Sequence, residues 1–365
     1  MWTIDLPKQD CVGCGACENI CPLGAISMLP DEEGFLYPHV DRELCTKCGT
    51  CHQHCPVMNG ATDLFHDDEP LAVYAGWSLN HENRLSGSSG GIFGEVAEAV
   101  LAQRGYVAGA AYTSDHTVEH RVIHELSELP MLKKSKYLQS RIGHVFSEVR
   151  GLLARGETVF FVGTPCQCAG LIAFLGDKPN NLLLCDFVCH GVNSPAVHQR
   201  YINEVETFLG KHVQQINHRD KEEGWQNFQL SVSSEGEKYL LGGKRKNPFL
   251  RGFLTNLFLR PSCYNCPFKG SVHPVDLTLG DCWGYPHDEE NGVSLMLVHT
   301  TAGQNLLTDL KEQICIHKYM LQQAILNNPS LLQSSTDRFH SRDIFFQNWI
   351  GGEPLNAVIL EILGN

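Results

Sequence analysis

Two stretches decide the fold of the N-terminal region: CVGCGACENICP at residues 11–22 and CTKCGTCHQHCP at residues 45–56. Both have the spacing C-x2-C-x2-C-x3-C followed by proline, so one unit occurs twice. The chain contains 16 cysteines in 365 residues. In a chain of this length without a secretory leader, such cysteine runs indicate metal or redox chemistry rather than a disulfide framework.

The repeated spacing is that of the two-cluster bacterial ferredoxins. The first three cysteines of each run lie on a tight loop that can hold three corners of a [4Fe-4S] cubane, and the fourth ligand comes from the other run. The pattern predicts two ligand sets: Cys11, Cys14, Cys17 and Cys55 for one cluster, and Cys45, Cys48, Cys51 and Cys21 for the other. Zinc is the alternative, because C-x2-C pairs also bind zinc. Between the runs, residues 25–29 and 35–40 are expected to form a short β-hairpin.

The composition is that of a globular, acidic chain. Hydrophobic residues make up 42% of it and the net charge is −13 at pH 7. Two or three folding units are therefore expected, and nucleic acid or an anionic membrane is an unfavourable partner. No stretch approaches the length of a transmembrane helix, and the start lacks the basic and apolar regions of a secretory leader. We therefore expect a cytoplasmic protein.

Residues 61–70 are polar and turn-rich, and they are expected to link an N-terminal module at residues 1–60 to a body at residues 71–320. The body alternates strand and helix signals, which indicates an α/β domain. The elements expected in the body are strands at residues 71–78, 107–112, 158–162, 182–188 and 275–279, helices at residues 92–103 and 142–153, and an inserted hairpin at residues 228–232 and 238–241. Residues 321–365 are expected to form a helical C-terminal extension that packs on the body. The predicted class is α+β, with a ferredoxin-like, βαβ-type module fused to an α/β domain.

A Ser/Gly-rich loop precedes the helix expected at residues 92–103. A helix N-terminus offers free amides and a favourable dipole to a phosphate group. The loop matches neither GxGxxG nor a Walker A motif, so a plain flexible loop is the alternative. Its residues are Ser86, Gly87, Ser88, Ser89, Gly90 and Gly91. Lys133, Lys134 and Lys136 could add contacts to a diphosphate, or could form an ordinary solvated basic run.

Four of the cysteines in the body stand where a third cubane could form. Cys263 and Cys266 are a C-x2-C pair, while Cys166 and Cys189 each follow an expected strand. Because strand ends converge on the functional edge of an α/β sheet, these four could be the ligands of a third [4Fe-4S] cluster. The remaining cysteines are interpreted as small buried hydrophobes: Cys168, Cys185, Cys282 and Cys315.

Six motifs carry a resemblance to a known family: SGSSGG at 86–91, KSKYLQS at 134–140, GTPCQCAGL at 163–171, CDFVCHGVNSP at 185–195, RPSCYNCPFKG at 260–270 and DLTLGDCWG at 276–284. Together they resemble the coenzyme F420 hydrogenase/dehydrogenase beta-subunit family over residues 70–345. The resemblance implies an α/β flavoprotein domain that holds FAD and a [4Fe-4S] cluster. It implies that the Ser/Gly loop contacts the flavin together with Lys136, Tyr137, Gln139 and Ser140. It also implies that Asp281 lies near the cluster and the cofactor; no general acid is predicted.

A flavin can exchange two electrons with an organic carrier and single electrons with a cluster. The expected function is therefore that of a flavin-dependent iron–sulfur oxidoreductase. Its two-electron partner would be reduced F420 or an organic substrate, and its one-electron partner ferredoxin or another redox protein. One alternative is an electron-transfer subunit that docks to a larger redox enzyme and has no substrate of its own. Another is a structural platform beside a glycan-synthesis enzyme.

Overall fold

The computed structural model describes residues 6–286, 290–336 and 339–364. Within these ranges the helices are α1 (Ala16–Ile20), α2 (Thr50–Gln53), α3 (His81–Ser86), α4 (Ile92–Ala102), α5 (Val145–Ala154), α6 (Pro165–Leu175), α7 (Pro195–Leu209), α8 (Pro248–Leu254), α9 (Thr301–Asp309), α10 (Leu321–Asn327), α11 (Phe339–Ile350) and α12 (Leu355–Leu363). The strands are β1 (Ile26–Pro30), β2 (Leu36–Val40), β3 (Ala72–Ser78), β4 (Tyr106–Tyr112), β5 (Val118–Ile123), β6 (Val159–Val162), β7 (Leu182–Phe187), β8 (Gln215–Asp220), β9 (Gln229–Ser234), β10 (Glu237–Gly243), β11 (Leu277–Asp281), β12 (Ser294–Val298) and β13 (Ile314–Lys318). Residues 1–5 of the predicted module, residues 287–289 of the predicted body, and residues 337–338 and 365 of the predicted extension lie outside the described residues. Each described helix is too short or too polar to cross a bilayer.

The N-terminal module consists of two short helices around the hairpin β1–β2. The two strands are antiparallel, which confirms the predicted hairpin, with Ile26 opposite Val40. Helices α1 and α2 both begin after a glycine with a left-handed backbone, Gly15 at φ 76° and Gly49 at φ 79°. A side chain is disfavoured in that conformation, so glycine suits the turn that each cysteine run requires. Residues 6–60 run helix, strand, strand, helix. A βαβ order would also need a strand before α1, and residues 1–5 lie outside the described residues.

The body is built on an eight-stranded sheet with the order β13-β3-β12-β11-β7-β6-β4-β5. The four central strands β11, β7, β6 and β4 run parallel, and the outer strands pair antiparallel with their neighbours. The five strands predicted in the body are confirmed as β3, β4, β6, β7 and β11, with ends shifted by one or two residues. A sheet with a parallel centre needs apolar cover on both faces.

Helices provide that cover. Val96 of α4 and Leu307 of α9 pack in one apolar cluster, whereas Val149 of α5 and Leu171 of α6 pack in another. Helix α4 confirms the prediction for residues 92–103. The helix predicted from residue 142 begins at Val145 instead, because Gly143 has a left-handed φ of 54°.

A second, three-stranded sheet has the order β10-β9-β8. Strands β9 and β10 confirm the predicted hairpin, and β8 extends it. Its apolar cluster includes Ile202 of α7, Phe249 of α8, Phe345 of α11 and Ile359 of α12. Helices α10, α11 and α12 agree with the expected helical character of the C-terminal region.

The module is joined to the body by the buried side chain of Arg260, which is 1% exposed. Its Nε donates to the Cys11 carbonyl oxygen at 2.9 Å, and its Nη1 donates to the Leu36 carbonyl oxygen at 3.0 Å. The guanidinium also lies 4.1 Å from the centre of the Tyr37 ring. Because this group is charged at every physiological pH, its burial is tolerated only where such partners surround it.

The segment at residues 61–70 packs along the body rather than hanging as a free tether. Phe65 is 7% exposed and meets the ring of Phe268 at 5.2 Å between centroids. The backbone of His66 pairs with Val272. Although the segment is mostly polar, its Phe65 side chain is buried and fixes it to the body.

We expect Arg260→Met to weaken the junction between module and body. The change leaves two buried carbonyl oxygens without their donor, which should lower the free energy of unfolding by about 2 kcal/mol. Denaturant unfolding of the anaerobic holoprotein and proteolysis within residues 57–70 would measure the effect. Arg251→Met is the matched control, because Arg251 also donates to two carbonyl oxygens, those of Leu363 and Gly364, but at the surface. Equal losses in both variants would show that Arg260 has no special role.

Candidate functional site

A cavity of about 690 Å³ opens at the carboxyl ends of the parallel strands. Its wall includes Val162 at the end of β6, Phe187 at the end of β7, and Asp281 at the end of β11. Ligands bind at this edge of open α/β sheets, because the loops that leave the strand ends diverge there. The volume falls in the range of small-molecule and cofactor sites.

The Ser/Gly loop forms one side of the cavity and leads directly into α4. Gly91 caps this helix with a left-handed φ of 87°, and Gly90 lies so close to β3 that an added Cβ would be 2.5 Å from the Gly76 carbonyl oxygen. These contacts explain why the last two positions of the loop are glycines. The loop residues that line the cavity are Gly87, Ser88, Ser89 and Gly91, while Ser86 and Gly90 do not reach it.

The segment from Lys136 to Ser140 lies along the same cavity, as the resemblance implies. Lys136, Tyr137, Gln139 and Ser140 all line it. Ser88 joins this segment to the Ser/Gly loop, because its Oγ accepts from the Ser135 backbone N–H at 2.7 Å. Burial, assisted by the charge of Lys134, lowers the pKa of Lys136 to about 7. Its Nζ donates to the carbonyl oxygens of Met131 and Lys133, so in this structure the group orders the preceding turn.

Two cations, one on the cavity wall and one beneath it, were not predicted from the sequence. Arg219 on β8 is 4% exposed, and both of its terminal nitrogens donate to Asp281 at 2.9 Å. Lys221 donates to the carbonyl oxygens of Arg84, Ser89 and Asn291, which holds the Ser/Gly loop from below. Burial is the main cause that lowers the pKa of Lys221 to about 7. Strand β8 lies far from the loop in sequence, and no local motif around residue 219 signals the contact.

The four cysteines proposed for a third cluster line the same cavity. Cys166 lies in the first turn of α6, whose N-cap is Thr164. The backbone after Cys189 runs beside the residues before Cys263, since Arg260 donates its N–H to the Val192 carbonyl oxygen at 3.0 Å. Burial, and then negative charge on Cys189 and Cys266, raises the pKa of the Cys263 thiol to about 12. The fold therefore brings these four thiols together, whereas Cys168, Cys185 and Cys282 are buried elsewhere. Cys315, expected to be buried, is partly exposed because it lies on the edge strand β13.

The eight N-terminal cysteines divide into the two predicted groups. Cys21, Cys45, Cys48 and Cys51 surround one small cavity. In the other group, burial raises the pKa of Cys14, and the charges of Cys17, Cys55 and Cys11 raise it further. The charges of Cys11, Cys17 and Cys55 can raise the pKa of Cys14 only if these four thiols lie near one another. The grouping in the structure therefore matches the crossed sets predicted from the two runs.

The spacing of the sulfurs favours cubanes over single zinc ions. Among the described residues, the one group of three or more His, Cys, Asp or Glu side chains whose ligand atoms all lie within 4.8 Å is His116, Glu206 and His212. The cysteine sets are wider than that. A cubane needs this greater width because each thiolate binds a different iron atom.

The comparisons with known proteins agree with both parts of the chain. Residues 10–59 match the 4Fe-4S dicluster domain, and residues 156–323 match the family model for the C terminus of the coenzyme F420 hydrogenase/dehydrogenase beta subunit. Residues 156–323 therefore resemble this beta-subunit family, and the match covers less than half of the chain. The chain is thus an iron–sulfur protein related to F420 hydrogenase and dehydrogenase subunits.

One curated relative and one solved structure show how far the likeness extends. The F subunit of the F(420)H(2) dehydrogenase from Methanosarcina mazei is 23% identical over 164 residues, which cover 43% of this chain and 46% of the relative. The match thus spans less than half of the length of that relative. A chain of the F420-reducing [NiFe] hydrogenase complex from Methanosarcina barkeri, from a xenon-derivatised structure, aligns with a TM-score of 0.51 and 14% identity. That alignment covers 78% of this chain and 92% of the other, and it supports the fold.

We expect the stability of the protein to depend on pH through His120, which lines the cavity. Its Nδ1 is 2.8 Å from Ser140 Oγ and its Nε2 is 3.1 Å from the Val162 carbonyl oxygen. Burial lowers its pKa to about 4. The folded-state value lies below the unfolded value, so the unfolded chain takes up the proton first. Stability present above about pH 6.5 is therefore lost as the pH falls toward 4.

Between pH 7.5 and pH 5.5, the wild type should lose about 1.4 kcal/mol more stability than His120→Asn. Denaturant unfolding at the two pH values measures this difference, and other buried histidines cancel because both proteins keep them. His144→Gln, which changes an exposed histidine, should retain the wild-type dependence. Parallel pH profiles for the wild type and His120→Asn would contradict the assignment.

Proposed function

We propose that this chain is a flavin-dependent iron–sulfur oxidoreductase that passes electrons between a two-electron partner and ferredoxin-type carriers. The observation that carries the proposal is a single cavity lined by a Ser/Gly loop at a helix N-terminus, by the segment from Lys136 to Ser140, and by four cysteines. Redox coupling between an organic cofactor and a cluster requires such adjacency. A bound flavin would supply the exchange between two-electron and one-electron chemistry.

The residues present fit FAD. Two buried nitrogens at the cavity, Gln139 Nε2 and Arg219 Nε, have no hydrogen-bond partner among the described residues. Such atoms favour a polar ligand, because a buried donor without a partner is costly. The lysines and arginine on the wall suit a diphosphate, as do the amides at the start of α4. We assign the loop residues that line the cavity (Gly87, Ser88, Ser89 and Gly91) and the segment from Lys136 to Ser140 to this cofactor.

The three cysteine sets follow one another in space, from the cavity toward the protein surface. Cys166 belongs to α6, and Gly170 of the same helix lies against Cys14, so that an added Cβ on Gly170 would be 2.9 Å from the Cys14 Cβ. Cys17 of the first N-terminal set is in turn close enough to Cys51 of the second for their charges to interact. We propose that these three sets hold [4Fe-4S] clusters which form one electron path.

The path ends at the protein surface. Cys48, in the second N-terminal set, is exposed, and the small cavity around that set has exposed residues such as Leu23 and Thr46 on its rim. A one-electron partner could approach there without entering the body. We propose that ferredoxin or a partner redox protein docks at this end and that the two-electron partner enters the large cavity.

F420 is a reasonable two-electron partner, since the names of both relatives refer to it. An organic substrate reduced with ferredoxin electrons is the other possibility within the same proposal. The second candidate function is an electron-transfer subunit without its own substrate. The relatives favour it in one respect: one is a component of a dehydrogenase, and the other belongs to a hydrogenase complex.

Anaerobic purification followed by iron, acid-labile sulfide and flavin analysis tests the proposal. About twelve irons per chain, from three four-iron clusters, and one FAD are expected. Reduction is then assayed with F420H2, NAD(P)H and reduced ferredoxin. About eight irons and no flavin after reconstitution would reject the flavin mechanism and leave the electron-transfer subunit.

We expect Cys263→Ser to lower the iron content from about twelve to about eight per chain, because one cluster loses a ligand. Cys315→Ser is the matched control, since Cys315 lies on β13 away from the three sets. Iron and sulfide analysis with low-temperature electron paramagnetic resonance of the reduced protein measures the loss. If Cys263→Ser keeps twelve irons, or if the control loses as many, the ligand assignment is wrong.

Ser88→Ala should weaken FAD binding about tenfold, because it removes the partly buried hydrogen bonds that tie the loop to Ser135, the residue before the Lys136–Ser140 segment. Ser86→Ala is the control: Ser86 belongs to the same loop but does not line the cavity, and its Oγ makes one long bond of 3.5 Å to the Asn83 carbonyl oxygen. Equilibrium dialysis of flavin-depleted protein with intact clusters gives both affinities. Equal affinities in the two variants would place the flavin elsewhere.

A further inference from the structure

A histidine occupies an unusual place in the turn between β4 and β5. His116 has a φ of 62°, in the left-handed region, and is 5% exposed. Exposed hairpin turns usually place glycine or asparagine in this conformation. Here the ring points inward, and its Nε2 lies 2.7 Å from the Val213 carbonyl oxygen. That bond requires the proton to be on Nε2, so the neutral ring keeps a lone pair on Nδ1.

Two further candidate ligands approach this histidine, one from α7 and one from the connection between α7 and β8. Glu206 lies in the last turn of α7, and His212 follows in the connection to β8. The Glu206 Oε1 atom accepts from the Val213 N–H at 2.8 Å and is 2.6 Å from His212 Nδ1. One ligand atom from each of His116, Glu206 and His212 lies within 4.8 Å of the others.

We propose that His116, Glu206 and His212 bind one zinc ion. Two imidazoles and one carboxylate are a ligand set that zinc accepts, with the fourth position left to water. The His116 and His212 ring centroids are 5.9 Å apart, which leaves space for an ion between ring nitrogens that would each lie about 2.0 Å from it. The hydrogen bond from His116 to Val213 is the outer contact that typically fixes the tautomer of a zinc-binding histidine.

The surroundings suit a cation. Lys211, the neighbour of His212, is bound to Glu235 at 3.3 Å and to Glu237 at 2.9 Å, so its charge is already compensated. The three ligands do not line the large cavity and contain no cysteine, so the site is separate from the proposed redox centres. An ion there would fasten the β4–β5 hairpin at the edge of the large sheet to the α7–β8 connection of the small sheet.

The test uses the reconstituted holoprotein, stripped of loosely bound metal with a chelator and then equilibrated with micromolar zinc. Elemental analysis should find about one more zinc per chain in the zinc-equilibrated wild type than in the wild type treated with chelator alone. X-ray absorption at the zinc edge should show only nitrogen and oxygen ligands near about 2.0 Å, with two imidazole signatures, and no sulfur shell near about 2.3 Å. A sulfur shell would place the zinc in the cysteine sets and overturn the proposal.

Two variants remove ligands with little risk to folding. The His212 side chain is 71% exposed, so His212→Gln should fold normally. His116→Asn keeps a residue that tolerates the left-handed turn. Each should weaken zinc binding by more than about a hundredfold, because changes outside the ligand shell alone cost 10–100-fold. His144→Gln, at the exposed histidine that precedes α5, should bind zinc like the wild type. Retention of zinc in His212→Gln, or failure of the wild type to bind it, would show that the three residues form only a surface ion pair beside a packed histidine.

Discussion

The arrangement of the cysteine sets depends on one buried guanidinium, that of Arg260. The residue stands three positions before Cys263, so it belongs to the backbone that presents the C-x2-C pair. The same side chain donates to the carbonyl oxygen of Cys11 and approaches its sulfur at 3.6 Å. A single side chain thus sets the position of an N-terminal cysteine relative to a cysteine of the body. Electron transfer is sensitive to such spacing, and a rigid, fully buried contact keeps it fixed.

The same contact places a positive charge beside the first N-terminal cysteine set. The potential of an iron–sulfur cluster depends on hydrogen bonds to its sulfurs, on nearby charge and on burial. Arg260 supplies all three, because it excludes water, donates toward the Cys11 sulfur and carries a fixed charge. The second N-terminal set lies nearer the surface, where Cys48 is exposed. The two sets therefore occupy different electrostatic environments although their sequence patterns are the same.

Local sequence was sufficient for some features and not for others. The grouping of the N-terminal cysteines into two crossed sets could be predicted because a fixed spacing of Cys, Gly and Pro specifies the loop, whatever the rest of the chain does. The parallel strands could be predicted because each is a short apolar run. Strand β5 escaped prediction since its sequence, VEHRVI, mixes charges with apolar residues, as an edge strand can. The pair of Arg219 and Asp281 escaped because it joins residues 62 positions apart, and no local pattern records such a contact.

The distribution of charge connects the cavity to its proposed ligand. The whole chain has a net charge of −13, yet the described residues that line the cavity include six lysines and arginines and only two aspartates. One of these aspartates, Asp281, is held by Arg219, so it does not neutralise the other cations. Cations gathered inside an acidic protein repel one another and lose hydration, as the lowered pKa of Lys136 shows. A bound diphosphate would reduce this repulsion, because its negative charge would offset that of the cations. The cavity is therefore a local positive region on an acidic protein. A cleft lined by charges of one sign concentrates the electrostatic field at its opening, so this cavity should attract anionic ligands.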